Sequence, residues 1–123
     1  MIVRTLPDGT TAIIGQTDHS RFVGQLAAHW GNERFARPEP YDTVARAAAY
    51  HDYGWLPYET RPLLNLETGR PYQFNELPFQ PANLAAYQGC IDWLSGIDPY
   101  AGLLINKHRT GLWQNRYGSL RRP

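Results

Sequence analysis

The chain has a single cysteine among 123 residues, Cys90, so no internal disulfide can form and the fold must rest on packing. A lone thiol suits a reducing compartment and excludes a thiolate metal cluster. Charge of one sign is not in excess. Twelve Lys and Arg against eleven Asp and Glu give a net charge of +1, so no nucleic-acid or anionic-membrane footprint is expected. The closing Ser119–Pro123, SLRRP, is a small basic end and not a patch. No apolar run approaches the ~20 residues needed to span a bilayer. The opening Met1–Thr10 also lacks the apolar segment of a signal peptide. These absences predict a soluble, cytoplasmic protein with neither nucleic acid nor membrane as partner. The length predicts one domain over 1–123, burying roughly two-thirds of its unfolded surface.

What is present is punctuation: 11 Gly and 10 Pro separate short periodic segments. Pro7-Asp8-Gly9 between Ile2–Leu6 and Thr10–Ile14 predicts a β-hairpin. A first helix follows, with Thr17 or Asp18 as N-cap, Phe22, Val23, Leu26 and Trp30 on its apolar face, and Gly31 as its stop. After Pro38 and Pro40, an alanine-rich helix runs from about Asp42 to Tyr53 and closes at Gly54. Prolines 57, 62, 71, 78 and 81 leave room for nothing longer than a turn over Leu56–Pro81. A third helix spans about Asn83–Ser95, with Leu84, Tyr87, Ile91 and Leu94 on one face. Asp98-Pro99 caps a fourth, which continues to about Arg109 and ends at Gly111, before a loop-like tail. The class predicted is mostly α: a helical bundle with a small N-terminal hairpin and a long aromatic, Pro-rich loop.

The histidines carry the chemistry. His19 lies three, four and seven residues before Phe22, Val23 and Leu26. His51 follows Val44 and Ala48 by seven and three, and His108 follows Ala101 and Leu104 by seven and four. Three helices thus each turn an imidazole inward, and Asp52 adds a carboxylate about 100° round from His51. His29 falls on another side of its helix, as a surface or packing residue. A single such histidine is ordinarily a hydrogen-bonded core residue. Three beside an aspartate each need a buried partner, and one divalent cation (Fe, Mn, Zn or Ni) would satisfy them together.

Four motifs, Q-T-D-H at 16–19, H-D-Y-G-W at 51–55, T-G-R-P-Y-Q-F at 68–74 and K-H-R-T-G-L-W at 107–113, resemble an uncharacterised bacterial family of unknown function. The dyad closing an alanine-rich helix, with a histidine one helix earlier, also resembles the HD-domain superfamily of metal-dependent enzymes. The resemblance implies His19, His51 and Asp52 as metal ligands, with His108 for a second metal or for substrate. HD enzymes also carry a later Asp. Asp92 and Asp98 precede His108 and none follows it, so the chain is expected to be short at its C-terminus relative to its family.

The implied chemistry is hydrolysis of a phosphate ester or related small molecule, with Asp52 and His108 as catalytic groups. Asp52 would bridge metals or orient water, and His108 would act as acid or base. Two alternatives stand beside it. A Gln16-x-x-His19 lead also resembles di-iron HD oxygenases acting on a phosphonate or polyol, and a non-catalytic ligand-binding or interaction module would equally use the aromatic supply. Lys107 and Arg109 either neutralise phosphate or complement the helix dipole. Trp55 is read as pocket lining, Phe74 and Phe79 as core cover. Gln16, Tyr58, Glu59 and Arg61 are candidates for substrate or supporting contacts. Asp18 caps its helix or holds His19.

Overall fold

The computed structural model describes residues 1–77 and 81–116. Strands β1 (Ile2–Thr5) and β2 (Thr11–Ile14) form the expected antiparallel hairpin, in register Ile2 to Ile14 and Thr5 to Thr11. Its turn is fixed by Asp8, whose Oδ1 accepts from the Thr10 N–H and hydroxyl, and by Gly9 at φ 84°. Five helices follow: α1 (Gln16–Ala28), α2 (Tyr41–Tyr50), α3 (Leu56–Thr60), α4 (Pro81–Ile97) and α5 (Pro99–Trp113). A 3-10 turn, Tyr53–Trp55, links α2 to α3. The chain is mostly helical with a small hairpin, as expected. None of the described helices is long and apolar enough to cross a membrane.

Several details differ from the sequence reading. The second helix stops at Tyr50, because the dyad and Gly54 occupy a separate turn. Helix α3 and a two-residue ladder, β3 (Leu64–Asn65) with β4 (Arg70–Pro71), lie where no element longer than a turn was expected. Pro57 does not prevent α3, since it occupies the first turn, where its missing N–H is not needed. Helix α5 runs through Gly111, which is buried inside it, and on to Trp113. The helix therefore extends about four residues past the expected Arg109 end, through the expected stop at Gly111. Asp98 does cap α5, its Oδ1 accepting from the Ala101 N–H at 3.0 Å. Phe79 lies outside the described residues.

The main correction concerns α1. Its buried residues are Gln16, Thr17, Ser20 and Gly24, whereas Phe22, Leu26 and Trp30 are exposed. The reason is the neighbour. Alanine-rich α2 packs so closely that a Cβ on Gly24 would lie 2.5 Å from the Ala49 Cβ. Only small or shapeable residues fit that seam, so the bulky apolar side chains turn outward. The hydrocarbon core sits on the other side of α2, where Ala47 meets Cys90, Ile91, Leu94, Ala101 and Ile105 of α4 and α5. The α1–α2 seam is left polar.

Candidate metal centre

The site grows from the end of α2. A helix leaves its last carbonyls without intrahelical partners, and here three are met by side chains. His51 Nδ1 donates to the Ala48 carbonyl at 2.7 Å, the Ser20 hydroxyl to Ala49 at 2.9 Å, and the Cys90 thiol to Tyr50 at 3.7 Å. A carbonyl only accepts, so Nδ1 carries the proton. Nε2 of neutral His51 is then a bare lone pair. It faces Asp52 Oδ2 at 3.3 Å, acceptor against acceptor, with the two side chains 12% and 7% exposed. A cation or a proton must lie between them. Burial opposes charge on His51, but the Asp52 hydrogen bond and carboxylate charge outweigh it and raise its pKa.

His19 completes the group from α1. One ligand atom each from His19, His51 and Asp52 lies within 4.8 Å of the others, and the His19 and His51 rings meet edge-on at 5.4 Å. His108, from α5, meets the His51 ring edge-on at 4.9 Å. Burial and then the nearby His51 lower its pKa. The three imidazoles thus converge on one region, with His19, His51 and Asp52 as its tightest set.

Asp52 is itself held from two sides. Gln16 Nε2 donates to Oδ2 at 3.2 Å, and the Tyr87 hydroxyl donates to Oδ1 at 3.4 Å. The Trp55 indole N–H in turn bonds the Tyr87 oxygen. Burial, then the charge of Asp52, pushes the Tyr87 pKa up, so its phenol stays a donor. Gln16 is 4% exposed, and its Oε1 is buried without a hydrogen-bond partner among the described residues. The Asp52 N–H reaches the Ser20 oxygen at 3.3 Å. The imidazole nitrogens of His19 and His51 and the Asp52 carboxylate form a donor set suited to a borderline divalent ion, and these residues fit one.

A family model described as a protein of unknown function, DUF3891, matches residues 1–122. The chain belongs to the DUF3891 family. No curated protein and no solved structure matches it. Since the family description names no activity, the HD resemblance of this DUF3891 chain rests on its motifs alone.

Among the other candidates, Trp55 is buried and packs edge-on against Tyr58 at 5.8 Å. Burial also raises the Tyr58 pKa. Arg109 lies over the Tyr87 ring, its Cζ 5.5 Å from the centroid. Asp18 is exposed and pairs with Arg21 at 3.6 Å, neither capping α1 nor touching His19. Arg61 and Lys107 are exposed, and no hydrogen bond or ion pair joins them to the cluster among the described residues. Because α5 continues to Trp113, neither Lys107 nor Arg109 is in its last turn. Asp98 bonds Thr43 and Arg46 of α2, eight and five residues before His51, or about 12 and 8 Å along the helix. His29 is exposed and bonds its own helix at the Gln25 carbonyl.

Ser20 and Tyr87 were not read as site residues from the sequence, and Glu59 was read as a supporting contact but not as a cap. Ser20 is fully buried and stitches α1 to the dyad; its position one residue past His19 was the only clue. Tyr87 was legible only as an apolar-face residue of α4. Glu59 takes the place of an α1 cap residue, accepting from the Gln16 and Thr17 N–H groups and from the Thr17 hydroxyl. Gly15 leaves room for it, since a Cβ there would lie 3.1 Å from Oε2.

Proposed function

We propose that this DUF3891 chain is a divalent-metal-dependent enzyme of HD type that hydrolyses a phosphate ester or related small molecule. His19, His51 and Asp52 would hold the metal, with His108 beside them. The observation that supports this most is the Nε2 lone pair of His51, turned onto Asp52 Oδ2 by the Ala48 carbonyl, with Gln16 Oε1 orphaned nearby. A proton on Nε2 would satisfy the His51–Asp52 pair alone, whereas a divalent cation would satisfy His19, His51 and Asp52 together. Uncompensated buried acceptors cost about 1–3 kcal/mol each.

A divalent metal bound there would lower the pKa of a bound water and polarise a phosphoryl oxygen. The chain's own groups have distinct tasks. Gln16 and Tyr87 fix both carboxylate oxygens of Asp52, so its orientation is set before substrate arrives. Ser20 and the Ala48 carbonyl fix the tautomer and ring plane of His51. His108, half-buried beside His51, would exchange a proton with the substrate or leaving group. Burial of Asp52, Trp55 and Ser20 keeps bulk water from this side of the dyad.

A panel of phosphate esters and phosphonates assayed with Mn, Zn, Ni or Fe tests the proposal. Hydrolysis of at least one ester is expected, lost to background in His51→Ala and Asp52→Asn. Tyr87→Phe should reduce it by about 10–100-fold, as removal of a supporting hydrogen bond ordinarily does. Activity equal in wild type and Asp52→Asn would contradict the assignment. Bound iron with an oxygen-dependent spectrum and phosphonate turnover would move the chain to the oxygenase class.

A further inference from the structure

A cavity of about 250 Å³ lies one side chain away from the dyad. Tyr87 connects the two, lining the cavity with its ring while its hydroxyl holds Asp52. The wall is aromatic and aliphatic: Trp55, Phe74, Leu84, Leu112 and Trp113 join Tyr87. Polar groups are few. Among the described residues Arg109 is the one cation in the lining, and it forms no ion pair with a carboxylate. Asn83 Oδ1, also in the lining, is buried without a hydrogen-bond partner among the described residues.

We infer that this cavity binds the ring-bearing organic portion of a small anionic substrate, with Arg109 meeting the negative charge where the cavity approaches Tyr87 and the dyad. Its assignment as the substrate pocket rests on the hydrolytic function proposed above; its capacity to bind such a ligand does not. Three features select the class. The volume falls just below the ~300–1,000 Å³ of ordinary small-molecule sites, which suits one or two rings and excludes a large ligand. A sugar or polyol would bury many hydroxyls against a wall that, among the described residues, offers Asn75, Asn83 and Arg109 as its polar side chains free to answer them, at a cost for each unmatched group. A lone guanidinium over an aromatic face, without a carboxylate partner, favours an anion and not a neutral hydrocarbon. The orphaned Asn83 oxygen adds a place for one ligand hydroxyl.

The test uses 1-naphthyl phosphate as probe, with 1-naphthol and inorganic phosphate as its two halves. Binding is followed by calorimetry on the full chain, as purified and after chelator. Saturable binding of naphthyl phosphate is expected in both states, at least tenfold tighter than of either half. Leu84→Trp fills the cavity from a partly exposed position and should weaken the probe at least tenfold. Arg109→Gln should weaken naphthyl phosphate but leave naphthol unchanged, while Arg109→Lys should restore part of the difference. Thermal melts of each variant separate unfolding from lost binding. No saturable binding, or binding indifferent to both Leu84→Trp and Arg109→Gln, would overturn the inference. Probe binding by a chain that takes up no metal would leave the pocket standing and remove the hydrolase. Metal uptake and ester hydrolysis without any effect of Leu84→Trp would do the reverse.

Discussion

At the scale of single residues, the site is organised by groups that finish a helix. Ser20 illustrates this: one hydroxyl donates to the Ala49 carbonyl, accepts from the Asp52 N–H and touches His51 Nδ1. Ser20→Ala should therefore lower stability by about 1–3 kcal/mol in urea denaturation, the cost of leaving buried polar groups unmatched. It should also weaken metal uptake, because the turn holding the dyad loses one of its two ties to α1, leaving the Gln16–Asp52 bond. A variant as stable as wild type would show that the stitch is dispensable. Asp98 makes a separate prediction. The Ala101 N–H, and after it Thr43 and Arg46, hold its carboxyl below the usual carboxylate range against the opposing effect of burial. A depressed pKa contributes stability above the unfolded value of about 3.9 and loses it as pH falls through the folded value. The stability gap between wild type and Asp98→Asn should thus be full at pH 6 and shrink below about pH 4. Urea midpoints measured across that range check it; a gap that widens on acidification would be the wrong sign.

At the scale of elements, the seam between α1 and α2 decides where the histidines point. Gly24→Ala should cost about 1–3 kcal/mol, since its new methyl meets both the side chain and the backbone of Ala49. Phe22→Ser, on the exposed face, should stay within about 0.5 kcal/mol. The opposite ranking would restore the apolar face suggested by sequence. That face was misread because periodicity reports where apolar residues recur, not which face a neighbour can approach. Phe22, Leu26 and Trp30 do share a side of the helix, but α2 comes too close to accommodate them. The helix caps show the same limit. Asp98 was legible because its partner lies three residues away, whereas Glu59 reaches Gln16 across 43 positions and carries no local signature.

At the scale of the molecule, a short chain divides its interior into two parts. Hydrocarbon fills the space among α2, α4 and α5 around Leu94 and Ile105, and polar groups fill the space among α1, α2 and the turn after it. The hairpin, the mostly helical class and the inward faces of His51 and His108 were legible, because each rests on local turn chemistry or on spacing within one helix; His19 joins them although Phe22 and Leu26, the apolar residues it was read with, face outward. The supporting set of Ser20, Tyr87 and the Trp55 indole was not legible, since it depends on which helix ends face one another. That division supports the proposal that the polar half is built around a cation. Metal content of protein purified without chelator, measured by mass spectrometry after offering Fe, Mn, Zn and Ni, tests it most directly. At least one equivalent per chain is expected in wild type, falling well below one in His51→Ala with the fold retained. A wild-type chain that binds no more metal than His51→Ala would contradict the account.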